Sequence, residues 1–196
     1  MIFGEDWMFV QNPKAASSSV TDVLLPYEHP VPPARMPAGR PSKHDLFVPG
    51  GHPFMEHRMG IVRNPWDRMV SAWAYVRKRL PDQFGEVSFP DFVMGKPLWT
   101  IGRKPTLIPF QQTSQMAWLW PCNDILMFEA LDDDLPLWAR KVLGRKMAAG
   151  VSNTSDRTWV GYRDYYLTRS VPENQELIDW VADVFKPEID LFEYHF

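Results

Sequence analysis

A single cysteine, Cys122, in 196 residues excludes an internal disulfide and gives no basis for a cysteine-rich zinc site. No GxxxxGK[ST] run occurs. The one Gly-Lys pair, Gly95–Lys96, is followed by Pro97, which excludes a Walker-type phosphate loop. No apolar stretch approaches the ~18 residues of a membrane span, and the N-terminus has no basic start, apolar core or cleavage pattern. The chain therefore reads as soluble and cytoplasmic, without a membrane anchor. A formal charge of −3 argues against a general nucleic-acid binder, which is usually basic. No internal repeat or low-complexity tract is visible.

What is present is apolar and aromatic. An apolar fraction of 45% with nine tryptophans fits one packed domain over residues 1–196. The first informative stretch is "GEDWMFVQNPKAASSSV". Trp7 to Val10 reads as a buried strand, and Gln11, Asn12 and Pro13 break it. Lys14, Ala15 and Ala16 follow, and Ser17, Ser18 and Ser19 open a helix whose apolar side carries Val20, Val23 and Leu24. Strand, tight turn and helix N-terminus together make an anion site. The first helical N–H groups lack intrahelical partners and the helix dipole favours negative charge there. Small side chains let the backbone approach a phosphate, serines add donors, and Lys14 adds a point charge. Alone, such a stretch is more often a loop and helix cap than an anion-donor site.

A second strand, Met59 to Val62, ends on Arg63, where ligands bind open α/β sheets. Asn64 is an N-cap and Pro65 suits the first helical position. Trp66, Met69, Val70, Trp73 and Val76 then recur at helical spacing, and Ser71 points away from that face. Arg58, Arg63, Arg68, Arg77, Lys78 and Arg79 crowd this region, which suggests that any anion is held at one site. Residues 26–52, with six prolines between Pro26 and Pro41, and residues 81–115 are expected to be acceptor-side loops and short helices. "DILMFEAL" reads as a third strand ending near Glu129. Asp132, Asp133 and Asp134 fit the acidic first turn of a helix that runs to Val142. Ser170 with Glu173 makes a capping box for the last helix, which Pro187 should stop. Strands alternating with helices imply α/β architecture with a central parallel sheet.

Two stretches together carry a resemblance. "FVQNPKAASSSV" resembles the 5′-phosphosulfate loop of sulfotransferases, commonly Pro-Lys-Thr-Ala-Gly-Thr-Ser. "GIVRNPWDRMVSAW" resembles their 3′-phosphate motif, Arg-Asp/Asn-Pro-x-x-Arg-x-x-Ser. "MFEALDDDL" and the tail from Tyr162 to Phe196 are similar to the carbohydrate-type branch, although Met127 stands where relatives often have arginine. The resemblance implies a P-loop-NTPase-like three-layer sandwich and 3′-phosphoadenosine 5′-phosphosulfate as donor, with 3′,5′-adenosine bisphosphate as product and no metal. It implies that Lys14, Ala15, Ala16, Ser17, Ser18 and Ser19 hold the phosphosulfate. By the same resemblance Arg63 and Ser71 would hold the 3′-phosphate and Arg157 would approach the nucleotide. The acceptor it implies is a glycan or another small hydroxylated molecule.

In this chemistry Lys14 is catalytic, because charge builds on the bridging oxygen as the sulfonate leaves. The attacking hydroxyl needs a base, and histidine suits one near neutrality. His52, in "GGHPF", is the preferred base and His44, in "SKHDLF", the alternative. His29, His57 and His195 read as surface or capping residues. Two other readings stay open. One is a small-molecule kinase with an unusual phosphate loop. The other is a non-catalytic module that binds adenosine bisphosphate.

Overall fold

The computed structural model describes residues 1–29, 44, 46, 55–94, 113–147, 161–168 and 170–196. In chain order its strands are β1 (Ile2–Phe3), β2 (Trp7–Phe9), β3 (His57–Val62) and β4 (Asp124–Met127). Its α-helices are α1 (Ser17–Leu24), α2 (Pro65–Arg79), α3 (Pro81–Phe84), α4 (Phe89–Val93), α5 (Met116–Leu119), α6 (Leu131–Val142), α7 (Tyr162–Tyr166), α8 (Val171–Val184) and α9 (Lys186–Phe192). Contacts divide the chain into two compact units, each assembled from two segments. One comprises Met1–Arg63 with Gln115–Asn153, the other Asn64–Ser114 with Thr154–Phe196.

The first unit is α/β. Among the described residues its four strands lie in the order β1-β2-β3-β4, and β2, β3 and β4 run parallel while β1 is antiparallel to β2. Near-continuous apolar strands bury both faces of a sheet, and alternation shows which residues serve which face. Trp7, Phe9, Met59, Ile61 and Leu126 pack with Val20 and Leu24 of α1 and with Leu131, Leu135 and Trp138 of α6. The Trp7 and Trp138 rings meet edge to face at 5.8 Å. Met8 and Val10 turn to the opposite face, where they pack with Phe3, Met55 and Trp118 of α5. Helices therefore flank the sheet on both sides.

β1 is an addition to the expected strands. Ile2 pairs with Phe9 and Phe3 with Met8, so two residues suffice to cover the outer edge of β2. The expected third strand stops at Met127, and a 3₁₀ turn spans Phe128–Ala130. Pro136 lies inside α6. It removes one backbone bond without ending the helix.

The second unit is helical. The Asn64 side chain caps α2 by accepting from the backbone N–H groups of Trp66 and Asp67, and Arg77, Lys78 and Arg79 occupy the last turn, where the dipole favours cations. The first two turns are buried all round, Ser71 included. Ser71 is thus enclosed even though it lies off the apolar stripe. The Ser170–Glu173 capping box forms as expected. Pro187 sits in the first turn of α9, so it opens a new helix as well as closing α8. Trp66, Tyr166 and Phe196 form a ring cluster, and Tyr166 Oη donates to the Trp66 carbonyl. No helix among the described residues is long and apolar enough to cross a membrane.

Gly60 of β3 shows how tightly α5 sits on the sheet. A Cβ there would lie 2.6 Å from Leu119 Cδ2 and 2.8 Å from Cys122 Sγ. Gly60→Ala is expected to destabilise the protein by about 1–3 kcal/mol through overpacking. Urea denaturation followed by tryptophan fluorescence measures it.

Candidate anion-binding site

The carboxyl ends of β2, β3 and β4 lie on one edge of the sheet, because the three strands are parallel. Each end contributes a residue. β2 leaves the ladder after Val10, whose N–H makes a last bond to the Met59 carbonyl at 2.8 Å. The Asn12 side chain takes over and donates to the Ile61 carbonyl at 2.9 Å and to Gln115 Oε1 at 3.0 Å. Its Oδ1 is buried without a hydrogen-bond partner among the described residues.

The turn then bends through two left-handed residues that are not glycine, Lys14 at φ 64° and Ala16 at φ 54°. Such residues cost about 1–2 kcal/mol each, so the surroundings must hold them. Ala15 and Ala16 are buried in the core beneath α1, which explains why this turn uses small side chains. α1 starts at Ser17 without a side-chain cap. Along its first turn Ser17 is buried, Ser18 exposed and Ser19 half-buried, while Lys14 is half-buried. The arrangement places Lys14, three serines and a helix N-terminus where β2 ends at one edge of the sheet.

Arg63 follows β3 and is 4% exposed. Its Nη1 donates to the Lys14 carbonyl at 3.0 Å. The guanidinium carbon stands 3.9 Å from the centre of the Phe128 ring, at the end of β4. Gln115, fully buried, grips the Arg63 backbone on both sides. Its Oε1 accepts from Arg63 N–H at 3.1 Å and its Nε2 donates to Arg63 C=O at 2.8 Å. The side-chain amide thus imitates a neighbouring strand where the sheet has ended.

His44 lies beside the same turn. Its Nδ1 is 2.7 Å from the Gln11 carbonyl, and Trp118 Nε1 donates to the His44 carbonyl at 3.0 Å. A carbonyl only accepts, so Nδ1 carries the hydrogen and the neutral ring has its lone pair on Nε2. The structure therefore brings Lys14, Ala15, Ala16, Ser17, Ser18, Ser19, Arg63 and His44 into one unit. Ser71 belongs to the helical unit, and His52 and Arg157 lie outside the described residues.

The basic residues that crowd this stretch of sequence have separate partners, each within its own unit. Arg58 stands near the opposite, amino end of β3, with its guanidinium on the carbonyls of Pro121 and Met55. Arg68 is buried and donates to the Thr113 carbonyl. Arg77 donates to Gly85. Each of these cations stabilises local backbone. His57 also proves to be a structural partner, with Nδ1 3.1 Å from Asp124 Oδ2. Asn12, Gln115 and Phe128 are the site residues that sequence reasoning missed. Nothing in "QQTSQMAWLW" distinguishes Gln115 from its glutamine neighbours. Among the described residues no cluster of His, Cys, Asp and Glu could hold a metal ion.

With this geometry established, comparison with known proteins adds no relative. No family model, curated protein or solved structure matches the chain.

Two outcomes follow from the site. Gln115→Ala removes both bonds to Arg63 and the acceptor for Asn12. It should cost about 2–4 kcal/mol, measured by chemical denaturation. Burial, the main cause, and nearby Asp124 push the Cys122 thiol up to about 12, against the opposing pull of Arg58. The folded thiol thus stays protonated at pH 8 to 9, whereas an unfolded one ionises near 9.0. Alkylation at pH 8 should modify Cys122 only after denaturation, as mass spectrometry would register.

Proposed function

We propose that the chain is a sulfotransferase with a P-loop-NTPase-like three-layer architecture. It takes the sulfonate of 3′-phosphoadenosine 5′-phosphosulfate and passes it to a hydroxyl, or an amine, of a carbohydrate or another small acceptor. The observation that carries this reading is the 3.0 Å bond between Arg63 Nη1 and the Lys14 carbonyl. It joins two turns 49 residues apart in sequence, each of which resembles one of the family's phosphate motifs.

The residues at the turn fit a phosphosulfate. The left-handed turn leads straight into the start of α1, Ser18 is exposed, and Lys14 carries the only charge within the turn itself. Backbone N–H groups from Ala15 to Ser19 hold the 5′-phosphate, with the serine hydroxyls as further donors. Arg63, with five N–H donors in a planar fork, suits the 3′-phosphate. That group distinguishes this donor from ATP.

When bound, the donor supplies a sulfonate and a bridging oxygen on which negative charge grows as the bond to sulfur breaks. Lys14 and the α1 dipole oppose that charge and so favour the transition state over the ground state. A base takes the acceptor's proton as its oxygen attacks. His44 suits the role through its tautomer, in which Nδ1 donates to the Gln11 carbonyl and Nε2 carries the lone pair. His52 is the other candidate base. The resemblance assigns Ser71 and Arg157 to the nucleotide as well, but the pairing of Lys14 with Arg63 supports the reading without them.

Thermal shift against 3′,5′-adenosine bisphosphate and against magnesium ATP tests the donor. Stabilisation by the bisphosphate supports the reading, and preference for magnesium ATP favours a kinase. Turnover of labelled donor against an acceptor panel separates an enzyme from a binding module. Lys14→Ala should reduce transfer at least about a hundredfold, the effect of losing one group aimed at developing charge. Full activity in Lys14→Ala would overturn the mechanism. His44→Ala and His52→Ala, assayed side by side, identify the base.

A further inference from the structure

The three strand ends are tied by a chain of side-chain contacts running across the sheet, and its outermost member has no role in the proposed transfer. Phe128 follows β4, Arg63 follows β3, and Lys14 lies in the turn after β2. The Arg63 guanidinium sits 3.9 Å from the Phe128 ring centre while its Nη1 bonds the Lys14 carbonyl. We infer that Phe128 is a positioning residue for the anion-binding turn, carrying the Arg63 guanidinium on its ring so that Arg63 keeps Lys14 in its left-handed conformation.

The physical case has three parts. First, Lys14 at φ 64° is a lysine where glycine is the natural choice, so its conformation needs a tether. The bond from Arg63 to its carbonyl is such a tether, and it is charge-assisted. Second, an arginine side chain has several rotatable bonds, and holding it over one carbonyl needs a partner that fixes the plane of the guanidinium. Gln115 grips the Arg63 backbone, and the Phe128 ring meets its guanidinium. An aromatic face attracts the guanidinium and fixes its plane. Third, Phe128 is itself fixed, because it packs against the core shared with α1 and α6. The direction of the turn amides at β2 is thus set partly from β4.

As it concerns binding, the inference rests on the proposed donor site, but the tether can be tested without any ligand. Phe128→Leu keeps the apolar packing and removes the aromatic face, while Phe128→Tyr keeps the face. Amide hydrogen exchange is followed for Lys14 to Ser19 and compared with Phe9 and Ile61 in the strands, which report opening of the whole sheet. In Phe128→Leu the turn amides should exchange about three- to tenfold faster relative to the strands, in line with a partly buried cation–aromatic contact. Phe128→Tyr should restore the wild-type ratio. An unchanged ratio in Phe128→Leu overturns the inference, as does a loss that Phe128→Tyr fails to rescue.

Calorimetric titration with 3′,5′-adenosine bisphosphate extends the test to binding. Affinity should fall by a similar factor in Phe128→Leu and recover in Phe128→Tyr. If the wild-type protein does not bind the bisphosphate while the exchange ratio still responds, the donor reading fails and the tether stands. If the wild-type binds and Phe128→Leu alters neither affinity nor exchange, the tether fails and the donor reading stands.

Discussion

The hydrogen bond from Arg63 to the Lys14 carbonyl is the constraint on which the candidate site depends. Parallel strands stop sharing backbone bonds where they diverge, and the polar groups left there must find other partners. At this edge side chains supply them. Asn12 serves Ile61, Gln115 serves both backbone groups of Arg63, and Arg63 serves Lys14. Bonds of this kind contribute about 0.5–1.5 kcal/mol each, and about 1.5–3 when one partner is charged. The Arg63 bond alone is comparable with the cost of one left-handed residue, about 1–2 kcal/mol. The turn is thereby held in a shape that its own sequence does not favour.

The amino-terminal edge is secured by separate means. There Arg58 binds two carbonyls, and Asn123 Oδ1 accepts from the Arg58 N–H at 2.7 Å. Asp124 joins His57, Trp138 Nε1 and, at 3.6 Å, Lys141. β3 is therefore pinned at both ends by polar side chains, with a wholly apolar middle. Arg58 within it and Arg63 just after it, five residues apart, have become parts of different edges. Charge density along the sequence could not reveal this, because neighbours in sequence occupy opposite ends of a strand.

Much of the fold was legible where local rules decide it. The apolar runs of β2 and β3 and the helical spacing after Pro65 each follow from a pattern within one segment, and so do the Asn64 cap and the Ser170 capping box. That Lys14 and Arg63 would lie side by side was legible, because both follow apolar strands that pair in parallel. β1 escaped notice, since two residues give no periodicity and their role is to pair with Phe9 and Met8. Pro187 read as a stop because sequence alone does not say whether a second helix will use the same proline as its start. Gln115 and Phe128 were illegible for a different reason. Their roles come from meeting Arg63, more than fifty residues earlier in the chain, and one sequence carries no trace of that meeting.

The contact between His44 and Gln11 has a consequence for proton traffic. Since the Gln11 carbonyl can only accept, any proton the imidazole gains must arrive at Nε2. The same contact settles which edge of the imidazole is engaged and which is turned from the Gln11 carbonyl. With the Trp118 indole on its own carbonyl, residue 44 bridges the segment leading into Lys14 and the helix on the other face of the sheet.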